Sequence, residues 1–139
     1  NNLAPKFNSE DVIPVVVTET KSGLVLMLGY MNKEALEKTI LTKEAHYWSR
    51  SRKALWKKGE SSGMVHKIDE ILIDDDQDSI WLKVTIGGIG ASCHVGYKSC
   101  FYRSVDSIEK DEVILNFTES EKVFDPEEVY PGIENPTKL

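Results

Sequence analysis

Hydrophobic and polar positions along the chain predict a domain built mainly of β-strands. Apolar or β-branched runs at 12–18 and 24–30 flank the turn residues Lys21, Ser22 and Gly23, and this pattern predicts a hairpin. Further strands are predicted at 45–49, 65–73 and 79–86. Asn32 is a suitable N-cap for a short amphipathic helix over 33–41, where apolar side chains recur at helical spacing. We therefore expect an α+β fold, a mostly antiparallel sheet with one or two short helices.

Length and composition indicate a single domain. The 139 residues suffice for one core. We expect the core at about 12–103 and an acidic, proline-containing tail at about 119–139, with a short helical turn near 125–129. No run approaches the roughly 18 apolar residues that a membrane-spanning helix needs, and the N-terminus lacks the apolar segment of a signal peptide. We expect a cytoplasmic protein.

Charge is distributed unevenly along the chain. The net charge of −6 argues against broad binding to nucleic acid or to acidic membranes. The segment R-S-R-K-A-L-W-K-K at 50–58, however, contains five basic residues and no acidic one. A basic island on an acidic protein suits a small anionic ligand better than a polymer.

Four aspartates crowd into the segment D-D-D-Q-D at 74–78. On an extended segment Asp74, Asp76 and Asp78 would share one face, a hard-oxygen cluster suited to Mg²⁺ or Ca²⁺. An EF-hand loop is excluded, because Ser79 and Thr85 stand where its glycine and bidentate glutamate belong. A solvated turn is the alternative interpretation.

Two cysteines, Cys93 and Cys100, follow the last predicted strand. In a cytosolic chain a disulfide is improbable, which leaves buried thiols, a reactive thiol or metal ligands. A catalytic zinc typically has three protein ligands and one open position, so two cysteines alone are insufficient. His94 is a further ligand, a proton carrier or a surface imidazole on the sequence alone.

The basic island is followed by K-G-E-S-S-G at 58–63, which is rich in small and hydroxyl residues. Arginine and lysine side chains can hold phosphates, and the loop can add backbone N–H and hydroxyl donors. The loop is not a Walker motif. A solvated basic face with Leu55 and Trp56 in the core is the alternative.

Taken together, four motifs resemble the phosphoribosyl-AMP cyclohydrolases of histidine biosynthesis. They are V-L-M-L-G-Y-M-N (25–32), S-R-S-R-x-x-L-W-x-K-G-E-x-S-G (49–63), D-x-D-x-D (74–78) and C-H-x-G-x-x-S-C-F (93–101). The resemblance covers about 12–103. It implies an intertwined homodimer that binds zinc at the subunit interface and magnesium at the aspartates.

The resemblance also assigns the metal ligands. Magnesium falls to Asp74, Asp76 and Asp78. Zinc falls to Cys93 and Cys100, with a third ligand from the other subunit. Many members have a cysteine between the first two aspartates, where this chain has Asp75. A carboxylate is a harder zinc ligand than a thiolate. We expect Asp75 to be the third ligand, with His94 as the alternative.

The implied reaction is hydrolysis of the N1–C6 bond of the adenine ring in 1-(5-phosphoribosyl)-AMP. Zinc would bring the pKa of its bound water toward about 7, and His94 is the candidate catalytic proton carrier. Two substrate phosphates would explain the basic island. The substrate-binding residues implied are Arg50, Arg52, Lys58, Gly59, Glu60, Ser61, Ser62 and Gly63. His66 stands where glutamine is common and Ala91 where proline is common.

Three other functions compete with this one. A zinc nucleobase deaminase is excluded, because H-x-E and P-C-x-x-C are both absent. A zinc-stabilised nucleotide-binding module and a metal-free interaction domain stay open. Many relatives carry a second, pyrophosphohydrolase domain, but only 36 residues follow Arg103, so we expect the monofunctional form.

Overall fold

The fold was determined from a computed structural model that describes residues 2–87, 97–109 and 112–119. Within these ranges the chain forms one helix and eight strands. They are β1 (Ile13–Glu19), β2 (Val25–Met31), α1 (Lys33–Thr42), β3 (His46–Ser49), β4 (Ala54–Lys57), β5 (His66–Ile73), β6 (Ile80–Ile86), β7 (Arg103–Glu109) and β8 (Glu112–Phe117). The turn predicted near 125–129 and most of the tail lie outside the described residues.

A four-stranded sheet forms the centre of the molecule, with strand order β2-β1-β6-β5. The β1–β2 and β5–β6 pairs are antiparallel, and only the β1–β6 pair is parallel. Two smaller antiparallel sheets, β3–β4 and β7–β8, complete the described part. The predicted α+β class with a mostly antiparallel sheet is confirmed.

One face of the central sheet forms the core. Residues that alternate along β1 and β6, including Val15, Val17 and Leu82, are fully buried on this face. Helix α1 and the β3–β4 hairpin cover it and contribute Leu36 and Tyr47 to the same cluster. The helix begins as predicted, because Asn32 Oδ1 accepts a hydrogen bond from Ala35 N at 2.9 Å.

The opposite face of the central sheet carries an apolar row that crosses all four strands. The strand register places Leu28 beside Val16, Val16 beside Trp81, and Trp81 beside Leu72. Leu28 and Trp81 are exposed. The β7–β8 hairpin has a similar apolar side, where Val105, Val113, Leu115 and Phe117 are exposed.

Two elements of the structure were not predicted. Strand β4 lies within the basic island at 54–57 and pairs with β3. Ala54 to Lys57 contain only two strongly apolar residues, too few for an alternating pattern to stand out. The β7–β8 hairpin also was not predicted. No helix in the described ranges is long and apolar enough to cross a membrane.

Candidate functional site

The aspartate segment is a turn between β5 and β6, not the extended strand on which its same-face grouping was predicted. Asp74 N donates to Ser79 O at 3.2 Å, and Gln77 adopts a left-handed conformation with a φ of 58°. The turn nevertheless brings together one carboxylate oxygen each from Asp74, Asp76 and Asp78, all within 4.8 Å of one another. Such spacing and hard oxygen donors fit a divalent cation, with small adjustments for Mg²⁺.

The aspartates of this turn shift one another's pKa values, mainly through shared hydrogen bonds. Hydrogen bonds shared with Asp74 and then Asp76 raise the pKa of the Asp78 carboxyl to about 6. Partial desolvation raises the pKa of Asp74, but hydrogen bonds from Ser79 and Asp78 outweigh it and hold that pKa well below its usual range. The backbone N–H groups of Asp78 and Ser79 donate to Asp74 Oδ1 at 2.9 and 3.1 Å. A divalent cation bound among these carboxylates would stabilise their ionised forms and lower the pKa of Asp78.

Two arginines are held in the turn between β3 and β4. The guanidinium carbon of Arg50 lies 3.8 Å from the centroid of the Tyr30 ring on β2. Arg52 is held by Ser49, whose Oγ accepts hydrogen bonds from the Arg52 backbone N at 3.2 Å and from its Nε at 3.4 Å. Both arginine side chains are exposed. The turn therefore presents two partly fixed guanidinium groups, as phosphate binding requires.

The loop at 58–63 is only partly exposed. Lys58 is 5% exposed, so its side chain belongs to the interior rather than to the basic surface. Glu60 and Ser61 are exposed, and Gly59 and Gly63 both have positive φ angles, of 85° and 77°. At Gly59 an added Cβ would overlap the backbone of Val65, so the loop folds tightly onto the start of β5.

A buried polar pair that the sequence did not predict lies behind this loop. His66 is fully buried, and its Nδ1 lies 3.0 Å from Tyr47 Oη. Burial, and then the charge of Lys58, lower the pKa of His66 to about 3. Burial, and then the charge of a Cys100 thiolate, raise the pKa of Tyr47. In the sequence nothing distinguishes Tyr47 from other strand residues, and it contacts His66 only in the folded chain.

Cys100 is exposed and has a fixed backbone. Its N–H donates to Leu26 O at 2.7 Å, at the bulge where β2 departs from regular pairing with β1. Ser99 Oγ donates to Val25 O at 2.6 Å, and Glu119 accepts from Ser99 N at 2.9 Å. An exposed thiol on a fixed backbone is a suitable metal ligand. Cys93 and His94 lie outside the described residues.

Cys100 and Asp75 lie far apart within one chain. Cys100 is attached to β2, and β1 separates β2 from β6, so β2 and β6 are roughly 10 Å apart. Ile80 at the start of β6 is level with Gly29, which is about 10 Å along β2 from Leu26. Asp75 precedes Ile80 and is farther still. Tetrahedral zinc requires ligand atoms within about 4 Å of one another, so one copy of the chain cannot supply both ligands.

The aspartate turn and the arginine turn lie at the same end of the central sheet. Tyr30, which contacts Arg50, pairs with Pro14 on β1. Ile80, which follows the aspartate turn, is level with the next residue of β1, Val15. Only β1 lies between β2 and β6, so the two turns flank the same end of the sheet on strands about 10 Å apart.

Known proteins resemble this chain along most of its length. The family model for phosphoribosyl-AMP cyclohydrolase matches residues 27–102. The chain is 52% identical over 128 residues to the phosphoribosyl-AMP cyclohydrolase of Rhodopseudomonas palustris strain HaA2, covering 92% of this chain and 86% of the relative. It is 48% identical over 129 residues to that of Rhizobium rhizogenes strain K84, covering 93% and 86%. The enzyme of the same name from Sinorhizobium fredii strain NBRC 101917 is 48% identical over 128 residues, covering 92% and 84%. This chain therefore belongs to the phosphoribosyl-AMP cyclohydrolase family of enzymes.

Proposed function

We propose that the protein hydrolyses the N1–C6 bond of the adenine ring in 1-(5-phosphoribosyl)-AMP, a step of histidine biosynthesis in the cytoplasm. The observation that carries this proposal, beyond family membership, is the pairing of a carboxylate cluster with two fixed guanidinium groups at one end of the sheet. A substrate with two phosphates needs two anion-binding regions; the arginines supply one, and the aspartate turn would supply the other once it holds a divalent cation.

The arginine turn binds one phosphate in this proposal. Arg50 and Arg52 each present N–H donors in a fixed plane, which matches the oxygens of a phosphate. Neither forms an ion pair in the described part of the chain. The exposed Glu60 and Ser61 of the following loop are within the same motif and border the substrate. Lys58 is buried, so in this proposal its positive charge acts on the phosphate from the interior, without direct contact.

The aspartate turn is proposed to hold magnesium, which supplies positive charge for the second phosphate. Asp74, Asp76 and Asp78 would each contribute one oxygen. Waters and phosphate oxygens would supply the remaining oxygen ligands that Mg²⁺ prefers. Backbone donors from Asp78 and Ser79 keep the Asp74 carboxylate ionised and oriented.

Zinc is proposed to be held by Cys93 and Cys100 of one copy and Asp75 of a second copy. The donor set of two thiolates and one carboxylate leaves one position open. When bound, the metal supplies a water nucleophile at neutral pH by lowering the pKa of that water to about 7. His94, beside Cys93, carries a proton to or from the opening ring. The separation of Asp75 from Cys100 within one copy supports sharing between subunits.

A homodimer is therefore part of the proposal. The apolar row on the central sheet and the apolar side of the β7–β8 hairpin are both exposed, and exposed apolar patches mark interaction surfaces. In a symmetric dimer the same surfaces meet twice. The hairpin of each copy can then cover the sheet of the other, which would produce an intertwined arrangement.

Turnover of 1-(5-phosphoribosyl)-AMP, followed by ultraviolet absorbance, tests the proposed function. Purified protein is assayed as isolated, after chelation, and after zinc and magnesium are returned separately. We expect activity to be lost on chelation and to return with zinc. A folded, metal-loaded dimer without turnover would contradict the proposal and favour a nucleotide-binding module that uses zinc only for stability.

A further inference from the structure

Arg50 is held on β2 by an aromatic ring. Its guanidinium carbon lies 3.8 Å from the centroid of the Tyr30 ring, well within the distance for a cation–π contact. Tyr30 is half-buried on β2, where it pairs with Pro14, and Arg50 is exposed in the β3–β4 turn. The contact therefore holds an exposed side chain of the β3–β4 turn against a residue of strand β2.

We propose that Tyr30 is a positioning residue that holds Arg50 ready for a substrate phosphate. This inference rests on the proposed function, in which Arg50 binds that phosphate. A guanidinium group is planar, and its five N–H donors point outward within the plane. Stacking on Tyr30 occupies the flat face and leaves this edge available. A carboxylate partner would instead occupy the edge and compete with the phosphate.

Arg52, in the same turn, is held by a hydrogen bond instead of an aromatic ring. Its Nε donates to Ser49 Oγ at 3.4 Å, so part of its donor edge is already used. The ion pairs in the described ranges involve neither arginine. Of the two arginines in this turn, Arg50 is thus the one held without a hydrogen bond to any described residue, and Tyr30 is the residue that holds it.

The ring, and not the hydroxyl group, makes this contact. Phenylalanine also offers an aromatic face to a cation, whereas leucine fills a similar space without one. Tyr30→Phe should therefore keep the KM for 1-(5-phosphoribosyl)-AMP close to wild type. Tyr30→Leu should raise KM roughly threefold to tenfold, the cost of ordering one long side chain on binding. Because the phosphate does not react, kcat should change little.

Double variants separate positioning from a general structural effect. In an Arg50→Met background, Tyr30→Leu should raise KM no further, because the group that Tyr30 positions is gone. In an Arg52→Met background, Tyr30→Leu should still raise KM by the same factor. Thermal unfolding of each variant is measured beside the kinetics, and the melting temperatures should not follow the KM values.

Three results would overturn the inference. They are an unchanged KM in Tyr30→Leu, an equal rise of KM in the Arg50→Met background, and an equal rise of KM in Tyr30→Phe. Calorimetric binding of AMP to the same variants gives the same comparison without turnover. If the wild-type protein bound AMP but did not turn over the substrate, the proposed function would fail while the AMP affinities still decided the role of Tyr30.

Discussion

His66 is a fully buried imidazole at the start of β5. Its Nδ1 lies 3.0 Å from Tyr47 Oη, and burial followed by the charge of Lys58 lowers its pKa to about 3. The low pKa keeps the imidazole neutral at physiological pH, where it shares a hydrogen bond with the Tyr47 hydroxyl. His66 therefore contributes to the pH dependence of the fold's stability.

We predict that the protein loses stability as pH falls below about 6.5 because of His66. The unfolded chain takes up a proton near the ordinary histidine pKa, whereas the folded protein resists protonation down to about pH 3. The contribution is complete above the unfolded pKa. It decreases by about 2 kcal/mol between pH 7.5 and pH 5. Urea unfolding at a series of pH values measures it.

His66→Gln provides the control for this prediction, because glutamine can also hydrogen bond to Tyr47 and does not titrate. Carboxylates contribute to pH dependence in both proteins, so the difference between the two curves isolates His66. Parallel curves between pH 7.5 and pH 5 would show that His66 titrates normally in the folded protein.

The tight loop between β4 and β5 contains two glycines whose surroundings set different requirements on them. Gly59 and Gly63 both have positive φ angles, but only Gly59 has other backbone atoms close to the position of a Cβ. At Gly59 a Cβ would overlap backbone atoms of Met64 and Val65, whereas nothing lies within 4 Å of a Cβ at Gly63. Backbone atoms cannot move aside as the end of a flexible side chain can. Gly59 is therefore required both for its conformation and for close approach.

We predict that Gly59→Ala destabilises the protein much more than Gly63→Ala. Gly63→Ala should cost about 1 kcal/mol, the penalty for a side chain in a left-handed conformation. Gly59→Ala should cost at least about 3 kcal/mol, because the loop must also shift away from β5. Urea unfolding of both variants is the measurement. Equal losses would mean that the loop moves freely.

We predict that the aspartate turn binds Mg²⁺ through its three clustered carboxylates. Asp76→Asn should weaken Mg²⁺ binding at least about tenfold, because it removes one charged ligand of three. Asp69→Asn is the matched control, since Asp69 is an exposed aspartate on β5 outside the cluster. Calorimetric titration with Mg²⁺ measures both. Equal affinity in the two variants would indicate a solvated turn.

Sequence patterns predicted some of these elements and missed others for physical reasons. The long alternating strands and the Asn32 cap were predicted because burial on one face leaves a clear periodicity. Strand β4 is short and partly charged, and its pairing with β3 is a tertiary contact. The three aspartates come together through a turn with a left-handed Gln77, not through strand alternation. The stacking of Arg50 on Tyr30 joins residues twenty positions apart, which no local pattern reveals.

One copy of the chain leaves two apolar surfaces exposed to solvent. The row on the central sheet and the side of the β7–β8 hairpin are apolar and exposed, and a two-stranded hairpin is only marginally stable by itself. The proposed intertwined dimer would give both surfaces a partner. Local sequence could not identify them, because the row exists only when four strands align.

We predict that Leu28→Asp and Leu115→Asp each weaken the dimer. A carboxylate in the covered interface should raise the dissociation constant roughly 30-fold or more, equivalent to about 2 kcal/mol. Leu41→Asp is the control, because Leu41 is 83% exposed on α1 and away from both surfaces. Light scattering across a dilution series measures the effect. A wild-type monomer, or equal behaviour of all three variants, would contradict the prediction.

The central claim is an active site shared by two copies of the chain, and mixed dimers test it most directly. Cys100→Ser and Asp75→Ala proteins are prepared separately, unfolded, mixed in equal amounts and refolded, and turnover is compared with that of each variant alone. Each variant alone should be inactive. In a mixed dimer both substitutions fall in one site and leave the other intact, so the mixture should regain about a quarter of wild-type activity. A mixture as inactive as its components would contradict a site shared between subunits.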